Sequence, residues 1–302
     1  MWFVCALGAL LFWSGSDLFS KIGCRDSSDK LSHLKMLSAV GLVMGVHACI
    51  EILSGTEISF RILLTYLPVS ALYIGSMAIG YLGLRYIELS ISSPICNSSG
   101  AIVAVLTIAV YGLGPSATPL ALAAVALVCA GVIFLGITEA SEDEELRRAR
   151  QDESNYHYAK SAAAIAIPVI YCLLDALGTF ADSRVLEVLD EDSANVAYEL
   201  TFLLVGLIAG IYAFGVKRER PALRTEGPKL IGALCETAGQ FFYIYALADT
   251  EHVAFAAPVI SAYCVLSVVW GRVFLKEKLS VKHYISIAAV AAGVVLLGIL
   301  DI

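Results

Sequence analysis

The sequence predicts an all-α polytopic membrane protein, with ten transmembrane helices in two inverted five-helix repeats. Three observations predict it. The 302 residues are 59 % hydrophobic and 16 % charged, and the mean hydropathy is +0.80. About ten apolar stretches have membrane-spanning length. Each half also ends on the same phrase, GVIFLGI at 131–137 and GVVLLGI at 293–299. A soluble domain carries about 25 % charged residues. This apolar excess is too large to hide in one globular core, so lipid is the solvent for much of the surface.

A hydrocarbon layer about 30 Å thick needs roughly 20 apolar residues per helix. Apolar runs of that length place spans 1–5 near 2–22, 34–53, 61–84, 92–112 and 118–138. Spans 6–10 follow near 160–182, 193–215, 229–248, 253–274 and 282–301. The first stretch lacks a basic leader and is followed by Asp17 and Lys21, so it reads as a span and not as a cleaved signal. The domain expectation is a first repeat over 1–138, an acidic linker over 139–159 and a second repeat over 160–302. Five spans per half invert the second half in the membrane, as in carriers built from inverted repeats.

The net charge of −7 owes much to the linker, where Glu142, Asp143, Glu144 and Glu145 stand in a row. That run reads as a solvated connection, with a regulatory role as the alternative. No basic patch suits nucleic acid. The eight cysteines make no CxxC pair and lie almost all within apolar spans, as small buried hydrophobes do. The five histidines form no HExxH-type motif, so neither a metal site nor any cofactor is expected.

Eighteen of the twenty basic residues fall on one side of this topology, the other two being Arg61 and Arg184. Lys- and Arg-rich short loops stay cytoplasmic. The connections after spans 1, 3, 5, 7 and 9 are therefore expected in the cytoplasm, and both termini outside, in a plasma (inner) membrane.

The halves align beyond their closing phrases. The run Tyr81 to Tyr86 followed by Ser92-Ser93-Pro94-Ile95 corresponds to Tyr245 to Thr250 followed by Ala256-Ala257-Pro258-Val259. The two prolines fall near the starts of spans 4 and 9, where a first-turn N–H has no helical partner.

Three motifs carry a family resemblance: the Tyr245-to-Val259 run, the turn Phe274-Leu275-Lys276-Glu277-Lys278-Leu279-Ser280, and Gly293 to Gly298. In order and spacing they resemble the drug/metabolite transporter superfamily, in particular its ten-helix EamA-type transporters. The resemblance covers nearly the whole chain. It implies a secondary transporter of small organic solutes with its cavity among spans 1, 3, 4, 6, 8 and 9. The first half departs from the pattern, because Tyr111 to Ser116 replaces the acidic turn.

Ionisable groups at membrane depth are costly and usually face a cavity. Asp175 sits mid-span within Leu174-Asp175-Ala176-Leu177-Gly178-Thr179. This phrase resembles the first helix of the small multidrug resistance family, which implies an acid that binds a proton or a cationic substrate. Its first-half counterpart is Trp13. Glu236, Gln240 and Tyr243 share one face of span 8, opposite Leu72, Ser76 and Ile79 in the alignment. A structural hydrogen bond to a neighbouring helix is the alternative for each acid. Asp17 has Lys21 one turn later and reads as a pair at the membrane edge, while Glu199 and Asp182 read as acids that snorkel to the interface.

Trp13, Tyr73, Tyr171, Tyr243, Tyr263 and Trp270 lie well inside spans and are candidate walls for a cation, or else packing and lipid-facing rings. A desolvated ring face contributes about 0.5–2 kcal/mol to holding a cation. Asn97, Ser98 and Ser261 follow the prolines and serve either substrate or freed backbone. Gly75, Ala78, Gly80 and Gly83 read as sites of close helix contact.

The expected substrate-binding set is Glu236, Asp175, Gln240, Tyr243, Asn97, Trp13, Tyr73 and Tyr263, with Asp175 and Glu236 also the proton-coupling candidates. The expected function is alternating-access transport of a cationic or amine-bearing solute, with protons as coupling partner. The expected partners are that solute and the bilayer, with the chain a monomer or weak homodimer. Export of amino acids or other neutral metabolites remains a second reading. A nucleotide-sugar carrier is disfavoured, because no Lys or Arg lies well inside a span. A membrane-embedded enzyme or a non-transporting receptor is the alternative of another class.

Overall fold

The computed structural model describes residues 1–24, 26, 29–85, 89–113, 117–140, 162–221, 223–276 and 279–300. The linker expected at 139–159 lies almost wholly outside these residues, as do Glu277 and Lys278. The described residues form helices and no strand, and ten segments are long and apolar enough to cross a bilayer.

The first half contains α1 (Trp2–Cys24), α2 (Ser32–Ser54), α3 (Phe60–Gly83), α4 (Leu89–Asn97), α5 (Ser99–Tyr111) and α6 (Pro119–Ala140). The second contains α7 (Ala162–Val185), α8 (Glu191–Gly210), α9 (Leu223–Leu247), α10 (Val253–Ser261), α11 (Tyr263–Phe274) and α12 (Val281–Leu300). A π-helical turn, Ile211–Val216, prolongs α8. Two of the starts have side-chain caps, which satisfy N–H groups that a helix leaves free. Ser59 accepts from the Ile62 N–H at 3.3 Å, and Asp190 from the Ser193 N–H at 2.9 Å.

Three expectations are corrected here. Spans 4 and 9 are each broken into two helices, α4/α5 and α10/α11. Pro94 and Pro258 are not first-turn residues; each stands inside its helix. A proline there removes a ladder bond and disrupts the turn. The chain resumes after Ser98 (φ −62°, ψ −10°) and Ala262 (φ −64°, ψ −6°), whose N–H groups bond back to the carbonyls of Pro94 and Pro258. Span 8 also starts earlier than hydropathy suggested, at Leu223, because its polar first turns are ordered by ion pairs described below.

The pairing of helices repeats between the halves. In α numbering, adding six to a first-half helix gives its second-half counterpart. The contact of α1 with α9 then matches that of α7 with α3, and the contact of α5 with α10 matches that of α11 with α4. The pairs α2–α8 and α6–α12 each map onto themselves. These are the contacts of two inverted repeats around a pseudo-twofold axis.

Small residues set the closest approaches. A Cβ on Gly41 or on Gly206 would fall 2.8 Å from the other glycine's Cα, so the α2 and α8 backbones touch. The helices that carry the doubled closing phrases meet at the first glycine of each: Gly131 lies against Val290, and Gly293 against Val128. Gly80 and Gly83 admit Tyr171 and Ile167, whereas Gly75 has no neighbour within 4 Å of its would-be Cβ and makes no such contact. Outward-facing Leu11, Val46, Val105, Leu204 and Ile299 each keep more than half of their surface uncovered. A band of apolar side chains on every side is what a lipid-facing surface requires.

Candidate functional site

The repeat contacts leave a central cavity between the halves, lined by residues of α1, α3, α4, α5, α7, α9, α10 and α11, with Tyr198 from α8. The space between its walls that no atom fills is about 970 Å³, including the part that opens to solvent. Both helix breaks face this space: Asn97, Ser99 and Gly100 line it at one, Ser261 and Tyr263 at the other. At the crossing of α5 and α10, a Cβ on Gly100 would sit 2.8 Å from the Ala257 carbonyl, so only glycine fits.

All eight residues expected to bind substrate line this one cavity. Trp13 lies 4.9 Å from the Tyr243 ring and 5.8 Å from the Tyr263 ring, between centroids. A Cβ on Gly239 would collide with the Trp13 indole, so that glycine is what admits the ring to the wall. Of the other aromatics singled out, Tyr171 also lines the cavity. Trp270 does not; its indole donates to Ser14 at 3.1 Å. Ser98 turns away and donates to the Pro94 carbonyl at 3.0 Å, whereas Ser261 faces the cavity.

Three carboxylates stand in the wall: Asp17, Asp175 and Glu236. Each accepts from at least one serine hydroxyl. Ser16 donates to Glu236 at 2.7 Å, Ser99 to Asp175 at 2.7 Å, and Ser93 and Ser267 to Asp17 at 2.5 and 2.7 Å. Among the described residues, the cavity wall holds no Lys, Arg or His. Seven aromatic rings complete it: Trp13, Tyr73, Tyr81, Tyr171, Tyr198, Tyr243 and Tyr263. The Tyr81 hydroxyl and the Gln240 amide nitrogen are buried with no hydrogen-bond partner among the described residues. Buried polar groups are normally satisfied, so these two donors are available to whatever enters.

Three acids thus stand elsewhere than expected. Asp17 is not paired with Lys21, whose ammonium donates to the Leu84 carbonyl at 2.8 Å. Asp182 does not snorkel; it is 0 % exposed and accepts from Tyr66 at 2.7 Å. Glu199 is also 0 % exposed, held by His47 Nδ1 at 2.9 Å and by Asn195 at 3.2 Å. One signal in the sequence pointed to Asp17, since Trp13, Ser16, Asp17 and Ser20 form a polar-aromatic stripe along α1.

Toward the basic-rich ends of the helices lies an ion cluster that hydropathy missed. The Lys35 ammonium is 3.0 Å from Asp29 and 3.3 Å from Glu219, and that of Lys229 is 3.2 Å from Glu226 and 3.6 Å from Asp29. Lys229 is 0 % exposed. A lysine is buried in this way only when paired. The cluster joins the connection after α1 to α2, α9 and the connection before α9.

No curated protein sequence matches the chain. A solved structure described as "Crystal structure of protein" superposes with a TM-score of 0.65 at 13 % identity, covering 99 % of this chain and 96 % of that one. The likeness is therefore one of fold, over the full length. Residues 163–299 match the EamA-like transporter family. They take in α8 to α11, most of α7 and nearly all of α12, and hence Asp175, Glu236, Gln240, Tyr243 and Tyr263. The described residues thus hold ten segments long and apolar enough to cross a membrane, and the second half of the chain is similar to the EamA-like transporter family.

Proposed function

We propose that the protein carries a cationic or amine-bearing organic solute across the membrane by alternating access, through rocking of the two repeats about the central cavity. One observation supports this above all: three carboxylates with neutral partners share one aromatic-walled cavity that contains no basic side chain among its described residues. Unpaired charge at membrane depth is costly, and an incoming cation supplies the missing counter-charge. The rings add cation–π attraction of about 0.5–2 kcal/mol each where desolvated. An anionic solute would meet repulsion from all three acids.

Asp175 and Glu236 are the charge-bearing residues in this reading, and Asp17 is a third acid close to the same solute. Gln240, Tyr243, Tyr263, Asn97, Tyr73 and Trp13 shape the pocket. The division into repeats 1–138 and 160–302 with a cytoplasmic acidic linker belongs to the same proposal, as does a plasma-membrane location. The unpartnered donors of Tyr81 and Gln240 favour a second reading, a zwitterionic metabolite whose carboxylate they would meet.

The test is a thermal-shift screen of the purified protein against choline-like cations, polyamines, amino acids and nucleotide sugars. Stabilisation by cations that falls at least about tenfold in apparent affinity in Glu236→Gln or Asp175→Asn supports the proposal, a loss of about 1.4 kcal/mol. Stabilisation by nucleotide sugars, or cation binding untouched in both variants, would sink it. Solute flux into proteoliposomes separates a carrier from a receptor.

A further inference from the structure

Two of the buried carboxylates, Asp182 and Glu199, stand outside the cavity wall; Glu199 is held by His47 and Asn195, whereas Asp182 meets hydroxyls. Asp182 follows Asp175 and Thr179 at i+7 and i+3 along one face of α7, about 10 Å beyond Asp175 at 1.5 Å per residue. It is wholly buried and is not part of the cavity wall. Its two carboxylate oxygens accept from Tyr66 at 2.7 Å and from Tyr73 at 3.4 Å. Tyr73 also reaches Thr179 at 3.2 Å and bonds to the Tyr243 hydroxyl. Tyr243 donates in turn to Thr179 at 3.0 Å. Tyr73, Tyr243 and Thr179 are themselves cavity residues. A continuous chain of hydroxyls thus runs from the cavity wall to an acid outside it.

The groups that face Asp182 carry no positive charge. From α3 they are the phenols of Tyr66 and Tyr73, from α8 that of Tyr198, from α9 that of Tyr243, and along its own helix Asp175. Arg184, near the end of α7, points elsewhere: it is half exposed and engaged with Tyr111 at 2.6 Å and Glu187 at 2.9 Å. The hydroxyls of Tyr73, Thr179 and Tyr243 are at hydrogen-bond distance of one another, and Asp182 is wholly buried beside them, which does not suit an organic solute or a hydrated ion. Hydroxyls both donate and accept, and reorient without moving heavy atoms. A proton is the ligand that such a site accepts without displacing any of these atoms.

We propose that Asp182 is a proton-binding site, separate from the solute-binding acids and connected to their cavity through Tyr73, Thr179 and Tyr243. The step is the addition of one proton to the carboxylate to give the carboxylic acid, with the hydroxyl chain reorienting and no other bond made or broken. A cation held at Asp175 would disfavour the proton at the connected site, so solute entry and proton release are linked. That link rests on the cavity reading above; the proton site itself does not.

The experiment is infrared difference spectroscopy of the full chain in lipid bilayers on stepping the pH. A protonated-carboxyl band that disappears as pH rises is expected in wild type, absent in Asp182→Asn, and shifted in frequency in Tyr66→Phe, which keeps the acid but removes its best donor. An undiminished band in Asp182→Asn overturns the proposal, as does a Tyr66→Phe spectrum identical to wild type. Tetramethylammonium chloride, added at fixed pH, should reduce the Asp182 band. No response to it would overturn the coupling and count against the cavity reading, while the proton site would stand on the variants alone.

Discussion

At the scale of single residues, the central cavity depends on where glycines stand. Tyr73 occupies its position because Gly178 has no side chain: a Cβ there would lie 2.8 Å from ring carbon Cε1. Gly178→Ala should therefore displace the ring and detach its hydroxyl from Thr179 and Asp182. Overpacking of this kind costs about 1–3 kcal/mol, read as a lower midpoint of thermal unfolding in detergent. Gly75→Ala is the matched control. Nothing lies within 4 Å of its would-be Cβ, so the gain of about 0.5–1 kcal/mol in helix propensity should leave the midpoint unchanged or raised. Equal destabilisation by both changes would contradict this account of Tyr73. The same scale shows where reading neighbours along the chain works and where it fails. Glu236, Gln240 and Tyr243 were legible because one helix face carries all three. Asp17 was read through Lys21, one turn away, whereas its partners Ser93 and Ser267 belong to α4 and α11. Asp182 was read through its place near a helix end, whereas Tyr66 reaches it from α3.

At the scale of elements, two kinds of contact shape the scaffold. The first is backbone against backbone, at the crossing of α2 and α8. A Cβ on Gly41 would lie 2.6 Å from the Phe202 carbonyl oxygen and 2.8 Å from the Gly206 Cα. Unlike the ring beside Gly178, these atoms have no rotamer in which to retreat, so Gly41→Ala must push the helices apart. Its thermal midpoint should fall further than that of Gly178→Ala, toward or past the upper end of the 1–3 kcal/mol range for overpacking. A smaller loss would mean that the helices separate more easily than their glycine contact implies. The second is the pair of proline-broken spans. Hydropathy found both spans and both prolines but not the breaks. The breaks fall at Ser98 and Ala262, about one turn beyond each proline, a local backbone change that a composition window does not resolve. They matter because each turns polar groups toward the cavity at the level of the carboxylates.

At the scale of the whole molecule, the charge distribution bears on orientation. Eighteen of twenty basic residues fall on one side of the topology read from the sequence, and the buried cluster around Lys35 and Lys229 belongs to that side. If the positive-inside bias governs insertion, both termini face outward, and a tag at either end should be cleaved by protease added to intact cells. Protection of either tag would reverse the assignment. The asymmetry of the two repeats matters at the same scale. Their contacts interchange, yet Asp175 aligns with Trp13 and Glu236 with Leu72, so the pseudo-symmetric frame encloses an asymmetric cavity.

The number of spans, their doubling and the side on which the charges gather could all be read along the chain. Each is a local requirement of the bilayer: roughly twenty apolar residues per crossing and backbone groups satisfied within each helix. Which acids share the cavity could not be read that way. Asp17, Asp175 and Glu236 come from three helices far apart in sequence, and they converge because glycines at 41, 80, 206 and 239 let those helices and their neighbours approach closely. Asp182 is separated from them by a ring of hydroxyls drawn from α3, α7 and α9. The acids share comparable apolar surroundings in the sequence, and only the packing of distant helices decides which of them meets the cavity and which meets the hydroxyl chain behind it.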